Sequence, residues 1–92
     1  MKNYIVTVER MLGCSMEQEY CYSNEYPIDA NSPEEAVRFI ASCLMDAGVI
    51  SVANRKKVLE KELYENKGKT LCFVDEKHTM FEIYANELVT TE

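Results

Sequence analysis

The side chains in this sequence with the most distinctive chemistry are four cysteines, Cys14, Cys21, Cys43 and Cys72, and one histidine, His78. Thiolate and imidazole bind zinc in closely spaced pairs. No two cysteines here have that spacing, and Cys72 and His78 stand six apart without further ligands. The sequence therefore predicts no metal site. A Cys–His nucleophile needs a base held against the thiol. Cys14, following Gly13 in an expected loop, is the best-placed thiol, and His78 is its one conceivable imidazole base, but nothing in the spacing joins them. Gly13, Gly48 and Gly68 are scattered, so no phosphate-cradling loop can be built. The reading is a protein that is not an enzyme, with no catalytic residues and no cofactor. Free thiols are expected rather than disulfides, with Cys43 and Cys72 as small buried hydrophobes. The N-terminus shows no apolar leader core, so a cytoplasmic protein is expected. No apolar run is long enough to cross a membrane.

Charge and tyrosine carry more information. The net charge is −6, distributed as −5 over residues 1–54, +3 over 55–69 and −4 over 70–92. An acidic majority argues against general nucleic-acid binding, which needs clustered Lys and Arg. It suits a partner protein with a basic surface. Tyr20, Tyr22 and Tyr26 lie among Glu17, Glu19 and Glu25. Tyrosine offers large contact area with a polar tip, and adjacent carboxylates can engage Arg or Lys. These six residues form the first candidate contact, and Asp75, Glu76 and Glu82 form a second acidic patch. The alternative is a small regulatory nucleic-acid-binding domain using a basic helix over 55–61, through Arg55, Lys56, Lys57 and Lys61. Against it, Glu60, Glu62 and Glu65 interleave with these cations, as on a solvated helix face.

These side chains need elements to position them. Tyr4–Glu9 reads as a strand with Tyr4, Val6 and Val8 on one face. Met11–Ser15 reads as a turn. Glu17–Ser23 reads as a second strand, with Tyr20 and Tyr22 on one face and Glu19, Cys21 and Ser23 on the other. A bulge is expected at Asn24-Glu25 before Tyr26-Pro27-Ile28. Ser32-Pro33-Glu34-Glu35 is an N-cap, a proline at the first helical position and a capping-box glutamate. With Ala36, Val37, Ile40, Cys43, Leu44 and Ala47 as its apolar stripe and Gly48 as its stop, it predicts a helix over 33–47. A second helix is expected from Val52 to Asn66, capped by Ser51 and stopped by Gly68. Residues 70–74 and 79–84 read as a hairpin, with Phe81, Ile83 and Ala85 alternating with Met80, Glu82 and Tyr84. The predicted fold is a single α+β domain over 1–92, in the order β-β-α-α-β-β. Its antiparallel four-stranded sheet carries two helices on one face. The last strand, taken as an edge, would allow a homodimer.

Tyr4-Ile5-Val6-Thr7-Val8-Glu9 and Asp29-Ala30-Asn31-Ser32-Pro33-Glu34-Glu35-Ala36 resemble the strand and helix-start pattern of the DpnD/PcfM-like family of phage and mobile-element proteins. The resemblance covers less than half of the chain, and the second half does not follow that pattern. In size and acidity the chain is also similar in type to anti-CRISPR proteins and other phage-encoded inhibitors of host defence. That similarity implies an inhibitor acting in the host cytoplasm on a nucleic-acid-binding effector.

Overall fold

The structure, a computed structural model, describes residues 1–12 and 20–89. The expected turn at Gly13, the loop thiol Cys14 and the candidate contacts Glu17 and Glu19 lie outside the described residues. Five strands form one antiparallel sheet: β1 (Lys2–Leu12), β2 (Tyr20–Ala30), β3 (Tyr64–Glu65), β4 (Lys69–Val74) and β5 (Met80–Glu87). Two helices, α1 (Pro33–Asp46) and α2 (Arg55–Leu59), lie between β2 and β3 in sequence. The strand order is β2-β1-β5-β4-β3.

β1 runs through Met11 and Leu12, which the sequence suggests as a turn. β2 pairs with it in unbroken register from Lys2↔Ala30 to Leu12↔Tyr20, so no bulge occurs at Asn24-Glu25. Alternation then assigns the faces. Tyr4, Val6 and Val8 of β1, Leu71 and Phe73 of β4, and Phe81, Ile83 and Ala85 of β5 are buried in one core. α1 covers them with Ala36, Val37, Ile40, Ala41, Leu44 and Met45.

The local signals for α1 act as expected. The Ser32 hydroxyl accepts the Glu35 N–H at 3.1 Å, and the Glu35 carboxylate accepts the Asn31 N–H at 2.7 Å. A cap of this kind contributes about 1 kcal/mol. At the other end Gly48 takes φ 81°. The Val49 N–H bonds to the Leu44 carbonyl at 2.9 Å and the Gly48 N–H to Met45 at 3.2 Å. This is the paired bonding that a left-handed residue just past the helix end permits. The buried stripe follows two rows of spacing four, 36/40/44 and 37/41/45. Cys43 is therefore exposed rather than buried, and Ala47 is exposed as the C-cap.

The four-stranded, two-helix expectation is overturned within residues 52–66. A helix forms over Arg55–Leu59 alone, capped by the Asn54 side chain on the Lys57 N–H at 3.1 Å. Ser51, the expected cap, bonds instead to the β4–β5 turn. Three interactions stop the helix early. The Arg38 guanidinium draws in the Leu59 and Lys61 carbonyls. Leu63 turns into the core, 7% exposed. Tyr64 pairs with Thr70 to make a fifth strand, β3. Gly68, at φ 114°, shapes the β3–β4 turn rather than ending a helix. The last strand is also not an edge. β5 lies between β1 and β4, and the edges are β2 and β3, so the expected route to a homodimer through the last strand is closed.

Candidate functional site

α1 covers one side of the sheet, and polar side chains from all five strands converge on the other. The strand registers set out its rows. Ser23, Glu9, Glu82 and Cys72 form one row across β2, β1, β5 and β4. Glu25, Thr7, Tyr84, Thr70 and Tyr64 form the next, across all five strands. Asp29 lies on the same face of β2.

Glu9 and Glu82 stand directly opposite each other, an arrangement that destabilises a sheet unless other groups offset it. Each carboxylate accepts a phenol. Tyr84 donates to Glu9 Oε2 at 2.9 Å, and Tyr64 donates to Glu82 Oε2 at 3.0 Å. Lys67, from the β3–β4 turn, reaches across the sheet to Glu9 Oε2 at 3.2 Å. Its ammonium sits 5.6 Å from the centroid of the Tyr84 ring. Beneath these groups Thr70 is fully buried, and Thr7 and Tyr84 are nearly so, although no helix covers them.

The electrostatics follow from these contacts. Desolvation and the bond to Glu9 push the Tyr84 phenol above its ordinary value of 10.0. Desolvation and the bond to Glu82 do the same for Tyr64. Glu9 holds the Lys67 ammonium above 10.5. All three shifts favour the protonated form in the folded chain. Their stabilising contribution is complete below the ordinary values and is lost as pH rises through the raised, folded-state ones. A phenolate absorbance titration should show Tyr64 and Tyr84 ionising above 10.0, with Glu9→Gln returning Tyr84 partway toward that value. Ionisation of Tyr64 and Tyr84 at or below 10.0 would show that these bonds do not persist in solution.

The expected contact residues divide between several places. Tyr22, Tyr26 and Glu25 do not form one patch. Glu25 is on the uncovered face, whereas Tyr26 lies opposite Val6 and Tyr22 opposite Arg10 on the helix side. Tyr26 packs against the core, and Tyr22 takes the Arg10 guanidinium 5.5 Å from its ring centroid. For Tyr20 the structure gives the backbone position opposite Leu12. Asp75 is buried, its carboxylate bonded to the backbone N–H groups of Ser51, Lys77 and Thr79. It closes a turn and is not presented to a partner. Glu76 is exposed and accepts the Ser51 hydroxyl at 2.9 Å. Glu82 joins Glu25 on the uncovered face, 57 residues away in sequence. Glu9, Tyr64 and Tyr84 were not singled out by sequence, because strand alternation identifies a face without identifying which strands lie side by side.

Much of the basic segment is occupied internally. Arg55 pairs with Asp46 at 2.8 Å, Lys61 donates to the Cys72 carbonyl at 2.8 Å, and Lys69 pairs with Glu65 at 3.6 Å. Cys72 is half-buried on the uncovered face, not in the core. Among the described residues no group of three His, Cys, Asp or Glu side chains could hold a metal, and no helix is long and apolar enough to cross a membrane. Two shallow cavities, of about 280 and 260 Å³, lie around Val52 near the β4–β5 turn, away from the Glu9–Tyr84 network. No protein-family model, characterised protein or solved structure matches the chain.

Proposed function

We propose that this protein is a binding module that occupies a basic surface on a partner protein with its uncovered sheet face. The observation that supports this reading is the gathering of Glu9, Glu25, Asp29 and Glu82 on that one face, with Lys67 lying across it. The β-strands place the carboxylates at fixed backbone spacing, and Tyr84 and Tyr64 already hold Glu9 and Glu82, which lowers the ordering cost of binding. Tyr64, about two-fifths exposed, adds aromatic area at the β3 end of the face. A nucleic-acid-binding protein, with its clustered Lys and Arg, is the fitting partner class, and an inhibitor of a host defence effector would act in this way.

The test is affinity capture from a lysate at low salt. Proteins with basic surfaces should be retained. Glu25→Lys combined with Asp29→Lys should reduce retention at least about tenfold, a difference of about 1.4 kcal/mol, without lowering the melting temperature. Equal retention by the double variant would sink the reading. Salt-sensitive binding of DNA or RNA by the isolated protein, lost on replacing Lys56 and Lys57, would favour the basic helix instead.

A further inference from the structure

We infer that the free edge of β2 receives an extended segment of the basic partner as a sixth strand, and that this segment alternates Lys or Arg with apolar side chains. The inference rests on the proposed binding role and specifies how the partner is held.

Backbone direction carries the first part. The Leu88 N–H donates to the Asn3 carbonyl at 2.7 Å, just past the β1–β5 pairing. Odd-numbered residues of β1 therefore turn their backbone groups toward β5, and even-numbered ones toward β2. In the β1–β2 register, Tyr22, Asn24, Tyr26 and Ile28 face even-numbered partners and use their backbone groups on β1. Ser23, Glu25, Pro27 and Asp29 turn theirs outward, where among the described residues β2 ends the sheet. An unpaired row of this kind is a template for an added strand. Pro27 falls in the outward set, where its missing N–H removes no bond to β1. It still offers its carbonyl.

Side-chain alternation carries the second part. Residues with outward backbone groups place Ser23, Glu25 and Asp29 on the uncovered face, opposite Glu9, Thr7 and Asn3 of β1. Tyr22 and Tyr26 lie on the opposite face, and Tyr22 is 46% exposed. An added strand has side chains directly beside these on both faces. The acidic side calls for cations beside Glu25 and Asp29, and the tyrosine side calls for apolar groups at the intervening positions. A second copy of this chain fits poorly. Antiparallel self-pairing centred on Pro27 would set Glu25 of each copy opposite Asp29 of the other, on two chains of net charge −6 each.

The probe is a short peptide alternating lysine with valine, measured by calorimetry in three forms. One is unmodified, one is N-methylated on every second amide, and one is N-methylated on the intervening amides. The three carry the same charge. Strand addition predicts that one methylated form binds at least about tenfold more weakly than the unmodified peptide, while the other is nearly unaffected. Ser23→Pro, which removes an outward N–H without changing charge, should weaken the unmodified peptide, provided the variant melts as the parent does. Equal binding of both methylated forms, or no binding of any form, overturns strand addition. The lysate capture with Glu25→Lys and Asp29→Lys decides the acidic-face reading separately. A concentration-dependent dimer abolished by Ser23→Pro would assign the edge to a second copy and also overturn the proposal.

Discussion

Asp75→Ala should lower the stability of the fold by about 3 kcal/mol, the cost of stranding several backbone donors around a buried anion's former position. Asp75 is 5% exposed. Its Oδ1 accepts the Lys77 and Thr79 N–H groups at 2.9 and 3.1 Å, and its Oδ2 accepts the Ser51 N–H at 3.1 Å. Its own N–H bonds to the Thr79 carbonyl at 3.0 Å, and His78 completes the turn at φ 62°. One side chain therefore shapes the β4–β5 turn and fastens it to the segment after α1. Bonds to a charged acceptor contribute about 1.5–3 kcal/mol each, but the Lys77 and Ser51 bonds are only part-buried, so the three do not sum fully. For a chain of this size the expected loss corresponds to a fall in melting temperature on the order of 15 °C. Asp75→Asn, which keeps one acceptor oxygen, should fall between the parent and the alanine variant. Glu76→Ala, one residue on and exposed, should change stability by less than about 0.5 kcal/mol. An Asp75→Ala protein melting within a few degrees of the parent would mean that the turn is not held in this way. Any loss of partner binding in this variant should accompany loss of fold, in contrast to Glu25→Lys.

Phe81→Ala should cost about 4 kcal/mol in chemical denaturation. Phe81 is 1% exposed on the central strand β5 and stacks on Phe73, with ring centroids 5.4 Å apart and planes inclined by 21°. Truncation removes the buried area and leaves a cavity between strands that cannot close independently. Domains of this size hold about 5–14 kcal/mol in total, so a large part of the stability depends on this ring. Phe39→Ala is the control. Phe39 lies on α1 but is 55% exposed, and its loss should change stability by less than about 0.5 kcal/mol. A cost below about 1 kcal/mol for Phe81→Ala would contradict the packing.

Local rules made much of this fold legible. Ser32, Pro33, Glu35 and Gly48 bracket α1 because capping uses atoms within a few residues of each other. Alternation separated Phe81 and Ile83 from Glu82 correctly, because a strand has a strict period of two. The same alternation separated Tyr22 from Ser23, but the expected bulge hid that Glu25 and Tyr26 continue it on opposite faces.

The errors lie where distant residues compete for local structure. The sequence around Val58, Leu59 and Leu63 is acceptable as a helix. It yields to β3 because Arg38, some twenty residues earlier, binds the Leu59 and Lys61 carbonyls and because Leu63 is drawn into the core. Asp75 looks like a surface carboxylate beside Glu76 until Ser51 supplies an amide to its second oxygen. The acidic face was invisible for a related reason. Glu9, Glu25 and Glu82 come from three strands, and their proximity depends on β1 sitting between β2 and β5.

The sequence by itself determined that this is an acidic α+β chain with a capped helix, that its basic residues cluster in one segment, and that it lacks the spacing of a zinc or phosphate-binding motif. These properties follow from composition and from interactions within a few residues. The tertiary structure decided where the charge goes. It placed carboxylates from three strands on one uncovered face, turned Asp75 inward, occupied Arg55 and Lys61 with internal acceptors, and made β2 rather than β5 an edge. The physical reason is that strand order is set by burying Val6, Leu71, Phe81 and Ile83 together beneath α1. The opposite faces of those same strands then come together as a consequence.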